Sequence, residues 1–400
     1  MSAKEQVDKI ELSQEGYYWD IKPILSVGAV YNMVYSARGP GKSYGVKKFT
    51  LEEFMKEVDN DPTTITHRIL YLRRYELDVK PVLVEGYFKD MTLLKKGNKE
   101  VDLMTITGGR FNHVKAAKNM IFLSHMDNKG KETDIKQFGY YDYIGNAERI
   151  KSVGYPDVSD IIIEEYIASS KPYLPNECEL VESIVSTVCR ERKVRVWFIG
   201  NNDSRDCIYY RYFGLNNIKK QKENTIDVYH KLTGEYNEDG TPEEVLFAVE
   251  FAQKKNKKPG MFFGNGAKIN DSGEWKSHIQ PKLSQQKAQE GTELLVINFK
   301  LHGFEYWARY YLDEKTGGRY WYVVPKTKPY YGICRVISDE VSIDPLHTIN
   351  LNGLNELENM AFKDLINGKV WYSDDLTGEE FLRAVEFFNG NNIITNKSII

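Results

Sequence analysis

Lys42 and Ser43 close the segment Ser36-Ala-Arg-Gly-Pro-Gly-Lys-Ser43, and these residue types in this order suit phosphate. Gly39 and Gly41 permit the dihedrals a loop needs to turn its N–H groups toward an anion. Lys42 sets a cation against the β- and γ-phosphates of a nucleoside triphosphate, and Ser43 offers a hydroxyl to Mg²⁺. A following helix adds the positive end of its dipole. The strict pattern G-x-x-x-x-G-K-[ST] begins with glycine, and this chain has Ser36 there. Arg38 inside the loop is placed either to contact the γ-phosphate or to swing away into solvent.

A phosphate loop alone hydrolyses nothing; it also needs a carboxylate for a magnesium shell and a base to orient water. Val158-Ser-Asp-Ile-Ile-Ile-Glu-Glu-Tyr166 supplies both, with Glu164 and Glu165 ending an apolar strand. Strand C-termini face the ligand in open α/β sheets. Glu164 is assigned to the metal shell, where Asp is usual, and Glu165 to water activation. Asn201, at the end of the run 193–199, is a candidate sensor of the γ-phosphate. Arg190 and Arg192 close a predicted helix over 176–191, either complementing its dipole or reaching a neighbouring subunit's nucleotide as an arginine finger.

The elements that must carry these groups alternate. Short strands are expected at 31–35, 68–72, 160–163 and 193–199, with a helix over 42–58. Nearly continuous apolar runs separated by helices predict a parallel sheet covered on both faces. Residues 95–145 read as a β insertion or lid, set within a broader segment of about 76–150. Beyond 228 the chain turns polar: EYNEDG at 235–240 and NKKPG at 256–260 are breaker clusters. Strands are then expected at 294–299, 304–311 and 320–324, the last two joined through the turn DEKTGG, and helices at 353–367 and 377–388.

Composition sets limits on function. The 400 residues hold 54 Lys+Arg and 57 Asp+Glu, a net charge of −3, which excludes a uniformly basic nucleic-acid coat. The sign is unevenly spread. Residues 251–300 carry nine lysines against four acids, and residues 336–390 carry eleven acids against three bases. Cysteines 178, 189, 207 and 334 form no C-x-x-C pair, so reduced thiols are expected and a structural zinc site is not. The first twenty residues lack a signal peptide's apolar core, and no run approaches the ~18 apolar residues of a membrane span. The expectation is an intracellular chain without a membrane partner.

Taken together, SARGPGKSYG (36–45), ILYLRRYEL (69–77), YPDVSDIIIEEYI (155–167), YLPNE (173–177), STVCRERKVR (186–195) and GNN (200–202) resemble the DNA-packaging ATPases of small protein-primed podophages, of the Picovirinae or Salasmaviridae kind. A weaker block at 362–388 is similar to that family's C-terminal end. The resemblance implies Walker A roles for Lys42 and Ser43 with bound ATP and Mg²⁺. It makes Glu164 and Glu165 the Walker B pair and Arg38 the loop arginine of viral terminases. Arg190 falls on the position of a trans-acting finger, and Lys151 on a second basic position acting in trans. It also implies a homopentameric ring on the phage portal (connector) and procapsid, in the host cytoplasm. Double-stranded DNA is the cargo, and a structural packaging RNA is among the partners it allows.

The fold expected on this basis is α/β. A P-loop NTPase domain of the additional-strand, catalytic-glutamate type spans 1–227. A linker (228–285) leads to a small RNase H-like α/β domain over 286–400. That domain is read as a vestigial nuclease suited to docking: its first strand carries Asn298 instead of Asp, and Asp313 and Glu314 sit in a hairpin turn. Lys95, Lys96 and Lys99, with Lys254, Lys255, Lys257 and Lys258, are candidates to hold the DNA backbone. Tyr17, Tyr18 and Trp19 are candidates to stack on adenine. The competing readings are a helicase or recombination ATPase, a non-catalytic nucleotide-binding scaffold, and a nuclease-bearing terminase.

Overall fold

The structure is a computed structural model. It describes residues 7–12, 18–60, 65–93, 101–168, 173–190, 192–202, 207–236, 240–252, 280–301, 304–327, 330, 332, 334–338, 344–348 and 355–390. The chain divides into two compact units, one formed by 1–203 and 215–275, the other by 204–214 and 276–400. The lysines at 95, 96, 99, 254, 255, 257 and 258, and Tyr17, lie outside the described residues.

Among the described residues the first unit holds ten strands: β1 (Val7–Glu11), β2 (Tyr31–Ser36), β3 (Arg68–Arg73), β4 (His113–Ala117), β5 (Met120–Met126), β6 (Glu132–Tyr143), β7 (Val158–Glu164), β8 (Arg195–Asn201), β9 (Thr225–Tyr236) and β10 (Pro242–Phe251). They form one sheet in the order β1-β9-β10-β2-β8-β7-β3-β6-β5-β4. The six strands from β10 to β6 run parallel, and antiparallel strands close both edges. The central strands are mainly apolar because both faces are covered: Met33, Val34, Ile161, Ile162, Trp197 and Phe198 are fully buried.

The helix Lys42–Asn60 follows β2 and turns Val46, Leu51, Phe54, Met55 and Val58 to the core. That spacing is one face of a 3.6-residue repeat. Its far end is fastened to β3 by Glu57, whose carboxylate accepts from the Thr66 and His67 N–H groups at 2.6 and 2.9 Å. Three of the strands expected in this half extend by one or two residues beyond their predicted ends, and the one expected over 193–199 lies at 195–201.

Two expectations are corrected. The segment 76–150 is a β insertion only in its second part, and there it extends the main sheet instead of standing apart as a lid. Short helices at Pro81–Tyr87, Lys89–Thr92 and Asp102–Ile106 occupy its first part, and β4–β6 continue the main sheet through the parallel pairing of β6 with β3. Nor is 228–285 a linker from its start. β9 and β10 fill 225–251, and β10 pairs directly with β2 from Phe247↔Tyr31 to Phe251↔Tyr35. The outer half of this hairpin is exposed while Ile226, Tyr229, Ala248 and Val249 are buried, so its polar tip hides two sheet strands from a composition reading.

The second unit carries β11 (Thr292–Leu301), β12 (Phe304–Leu312), β13 (Arg319–Pro325), β14 (Arg335–Ser338), β15 (His347–Thr348) and β16 (Val370–Tyr372) in the order β15-β14-β11-β12-β13-β16. β11, β12 and β13 form an antiparallel meander, and β14, β15 and β16 join in parallel. Helices Glu356–Ile366 and Asp375–Gly390 bring Phe362 and Phe381 onto Phe299, Tyr306 and Trp321 of the sheet. Asn355 and Glu358 close a reciprocal capping box at the first of these helices. Asp313 binds the Lys315 N–H and the Thr316 hydroxyl, and Glu314 accepts from Thr292. Both acids hold their turn together, as acids of a hairpin turn do.

Candidate functional site

The glycine loop sits at the C-terminal end of β2, at the mouth of a cleft of about 300 Å³ lined by Arg38, Gly39, Gly41, Lys42, Ser43, Tyr44, Asp90, Glu164, Glu165, Ile199, Gly200 and Asn201. Gly39 and Gly41 have φ of 103° and 91°, the region in which a side chain would be strained. The Lys42 ammonium donates to the Ser36 hydroxyl at 2.6 Å and to the Ala37 carbonyl at 3.3 Å. Ser36, fully buried, donates its own hydroxyl to the Ala37 carbonyl at 2.7 Å. Serine in place of the pattern's glycine therefore lies beneath the loop as a resting partner for the lysine. Arg38 is exposed at the rim.

β7 delivers the two glutamates. Glu164 is 8% exposed, and its Oε1 accepts from the Tyr87 hydroxyl at 3.0 Å. Burial pushes its carboxyl up, against the hydrogen bonds from Ser43 and Tyr87 and the charge of Lys47. A buried carboxylate bonded to a hydroxyl at the loop's end is an oxygen-only donor pair, the chemistry Mg²⁺ selects. Ser43 and Glu164 are the residues that fit such an ion.

Glu165 stands differently. It is exposed, and its φ of 57° is unusual for a residue with a side chain. Backbone bonds hold it there: its N–H donates to the Ile199 carbonyl at 2.8 Å, and Arg74 donates to the Glu165 and Tyr166 carbonyls at 3.4 and 2.9 Å. The left-handed turn sends consecutive glutamates into different settings, one buried and one open to the cleft. The Glu165 carboxylate pairs with Arg73 at 2.5 Å.

Asn201 faces the loop from β8, its Cα paired in register with Ser36, and the Asn202 N–H donates to the Ser36 carbonyl at 2.9 Å. The structure thus brings Arg38, Gly39, Gly41, Lys42, Ser43, Glu164, Glu165 and Asn201 to one cleft with Ser36 beneath it. Arg190 and Lys151 are not among its lining residues. Arg190 is exposed at the C-terminal end of the helix Glu177–Cys189, and Lys151 pairs with Glu148 one turn away at 2.7 Å. Arg192 is structural: it donates to the carbonyls of Tyr155, Val158 and Val188. Trp19 is committed to packing. Its ring would meet a Cβ at Gly45 within 2.7 Å, and its indole N–H donates to Glu250 at 2.9 Å. Tyr18 lies against Gly41 and is exposed.

Sequence reasoning gave no role to Arg73, Arg74, Lys47, Tyr87 or Asp90. Arg74 donates to both Glu177 oxygens, at 3.0 and 2.7 Å, in a buried pair. Two arginines ending an apolar strand were the available signal, because a charge at a strand's C-terminal end lies where ligands bind. Lys47 had a signal too, standing one turn after Ser43 on the buried face of its helix.

Residues 13–239 match the podovirus DNA encapsidation protein (Gp16) family. The chain belongs to that family. Among curated relatives, it is 25% identical over 213 residues to the DNA packaging protein of Bacillus phage phi29, covering 52% of this chain and 54% of the relative. It is 29% identical over 195 residues to the DNA packaging protein of Bacillus phage B103, covering 48% and 50%. The chain thus spans about half the length of the curated relatives it matches. In fold it is similar to a chain of the bacteriophage phi29 viral genome packaging motor assembly, with a TM-score of 0.51 at 17% identity over 94% of this chain and all of that one. Among the described residues no helix is long and apolar enough to cross a membrane.

Proposed function

We propose that this chain is an ATP-hydrolysing motor protein that drives double-stranded viral DNA into a procapsid. The observation that carries the reading is the convergence of the glycine loop, Ser43–Glu164, Glu165 and Asn201 on one cleft at the strand C-termini. A single strand, β8, stands between the loop strand β2 and the glutamate strand β7. This order supports a P-loop NTPase of the additional-strand, catalytic-glutamate type. The family membership and the DNA packaging proteins among its relatives support the substrate and direction of the reading.

In this reading the loop N–H groups and Lys42 hold the β- and γ-phosphates of ATP, with Lys42 leaving Ser36. Ser43 and Glu164 hold Mg²⁺, which when bound supplies charge neutralisation across the phosphates. Glu165 leaves Arg73 and orients the attacking water, and Asn201 and Arg38 read the γ-phosphate. Arg190 and Lys151 are offered from a neighbouring subunit, consistent with the exposure of Arg190 and with neither residue lining the cleft of its own chain. The subunits form a ring, a pentamer by analogy, seated on the portal in the host cytoplasm. The strand order β13-β12-β11-β14-β15 supports an RNase H-like second unit acting in docking, with Asn298 and the turn acids Asp313 and Glu314 leaving it without nuclease chemistry. A structural packaging RNA fits as a further partner.

The test is ATP binding and turnover in wild type, Lys42→Ala and Arg190→Ala. Lys42→Ala is expected to lose both. Arg190→Ala is expected to bind ATP as wild type does and to lose turnover by roughly 10³-fold, the scale of an arginine finger. Full turnover in Lys42→Ala would refute the site, and full turnover in Arg190→Ala would refute the shared one.

A further inference from the structure

The helix Lys42–Asn60 sends a second lysine toward the glutamate strand. Lys47 is 2% exposed, buried one turn beyond Ser43. Its ammonium donates to the Tyr87 carbonyl at 2.5 Å and to Asp90 at 2.6 Å, and lies 4.5 Å from the centre of the Tyr87 ring. The Tyr87 ring is clasped by Tyr71 and Phe88, with centroids at 4.5 and 5.1 Å. From this setting its hydroxyl reaches Oε1 of Glu164 at 3.0 Å.

Glu164 carries one methylene more than the aspartate usual at this position, and with it an extra rotatable bond. A longer carboxylate held by Ser43 alone could turn away from the cleft. Tyr87 removes that freedom by fixing one carboxylate oxygen, and Lys47 removes the freedom of Tyr87 by pinning its backbone and stacking under its ring. The three residues come from three different elements: β7, the helix Pro81–Tyr87 and the helix that follows the glycine loop.

We propose that Tyr87 is a positioning residue that aims the Glu164 carboxylate at the metal of a bound Mg²⁺–nucleotide, with Lys47 as its anchor. The proposal rests on the nucleotide-site reading given above. Tyr87 does not line the cleft. It acts through Glu164, so its effect belongs to the magnesium-dependent part of nucleotide affinity and not to the part held by the loop and Lys42.

The experiment measures binding of a fluorescent ATP analogue by the full chain in EDTA and across a Mg²⁺ titration. Wild type is expected to bind more tightly with Mg²⁺. Tyr87→Phe keeps the ring and its packing. It is expected to retain wild-type affinity in EDTA and to need roughly tenfold more Mg²⁺ for half-maximal gain, the scale of one hydrogen bond to a charged group. Lys47→Met, of similar length and apolar, is expected to show the same shift. In a Glu164→Asp background the shorter side chain withdraws from the phenol, so adding Tyr87→Phe is expected to change the Mg²⁺ midpoint by less than twofold. A Tyr87→Phe midpoint equal to wild type overturns the proposal, as does an equal shift in both backgrounds. If wild type itself gains nothing from Mg²⁺, the nucleotide-site reading fails, and the proposal with it; that outcome is read from wild type alone.

Discussion

Glu165 and Glu164 show how little sequence distance separates two chemical environments. A positive φ at Glu165 turns its side chain out to Arg73 while Glu164 stays buried against Ser43 and Tyr87. Another carboxylate, Glu57, sets how the sheet answers to acid. Partial burial works to raise its pKa, but hydrogen bonds from Thr66 and His67 outweigh it and bring it down to about 2. Because the folded value lies below the unfolded one, the stability it contributes is present above roughly pH 4.5 and is lost as the pH falls toward about 2. Glu57→Gln should therefore lower stability at pH 7 by about 1 kcal/mol, with the gap closing below pH 4. Urea melts at pH 3 and pH 7 test this, and an equal gap at both would refute it. At this scale the sequence was legible wherever chemistry depends on adjacency. Gly39, Gly41, Lys42 and Ser43 mark the glycine loop at the cleft by order alone. Tyr87 and Asp90 could not be found that way, since they meet Lys47 across about forty residues of chain and only the packed insertion brings them close.

The elements of the first unit are joined at the cleft by charged pairs from the end of β3. Arg74 binds Glu177 at the start of the helix Glu177–Cys189 and the carbonyls of Glu165 and Tyr166 after β7, so one side chain ties three elements. Both partners of the pair are buried. Arg74→Ala takes the cation away from the buried Glu177 carboxylate, which also accepts from the Leu174 N–H, and should cost roughly 3–5 kcal/mol. Chemical denaturation measures this, and a loss below 1 kcal/mol would show that the pair is not what holds the turn. The strands and the long helices were legible because burial on both faces, or on one helical face, writes a clear periodicity. The insertion was not. Its helices Pro81–Tyr87, Lys89–Thr92 and Asp102–Ile106 are too short to show one, and the β4–β6 meander alone carried the readable signal.

At the scale of the molecule, two sheets organise two units, and charge is divided along the chain more than its net value suggests. The boundary was the least legible feature. The hairpin of β9 and β10 projects its polar half to solvent, and that half reads as a linker, although the inner half completes the parallel sheet beside the glycine loop. Strand pairing over two hundred residues of separation leaves no local trace in composition. The motor reading belongs to this scale, because Arg190 and Lys151 serve it only in an assembly. Steady-state ATP hydrolysis by the full chain, with and without double-stranded DNA, tests it most directly. Turnover is expected to be accelerated by double-stranded DNA and not by single-stranded DNA, and to be abolished in Glu165→Gln while ATP binding persists. ATP bound but hydrolysed under no condition, with portal and procapsid supplied, would contradict it.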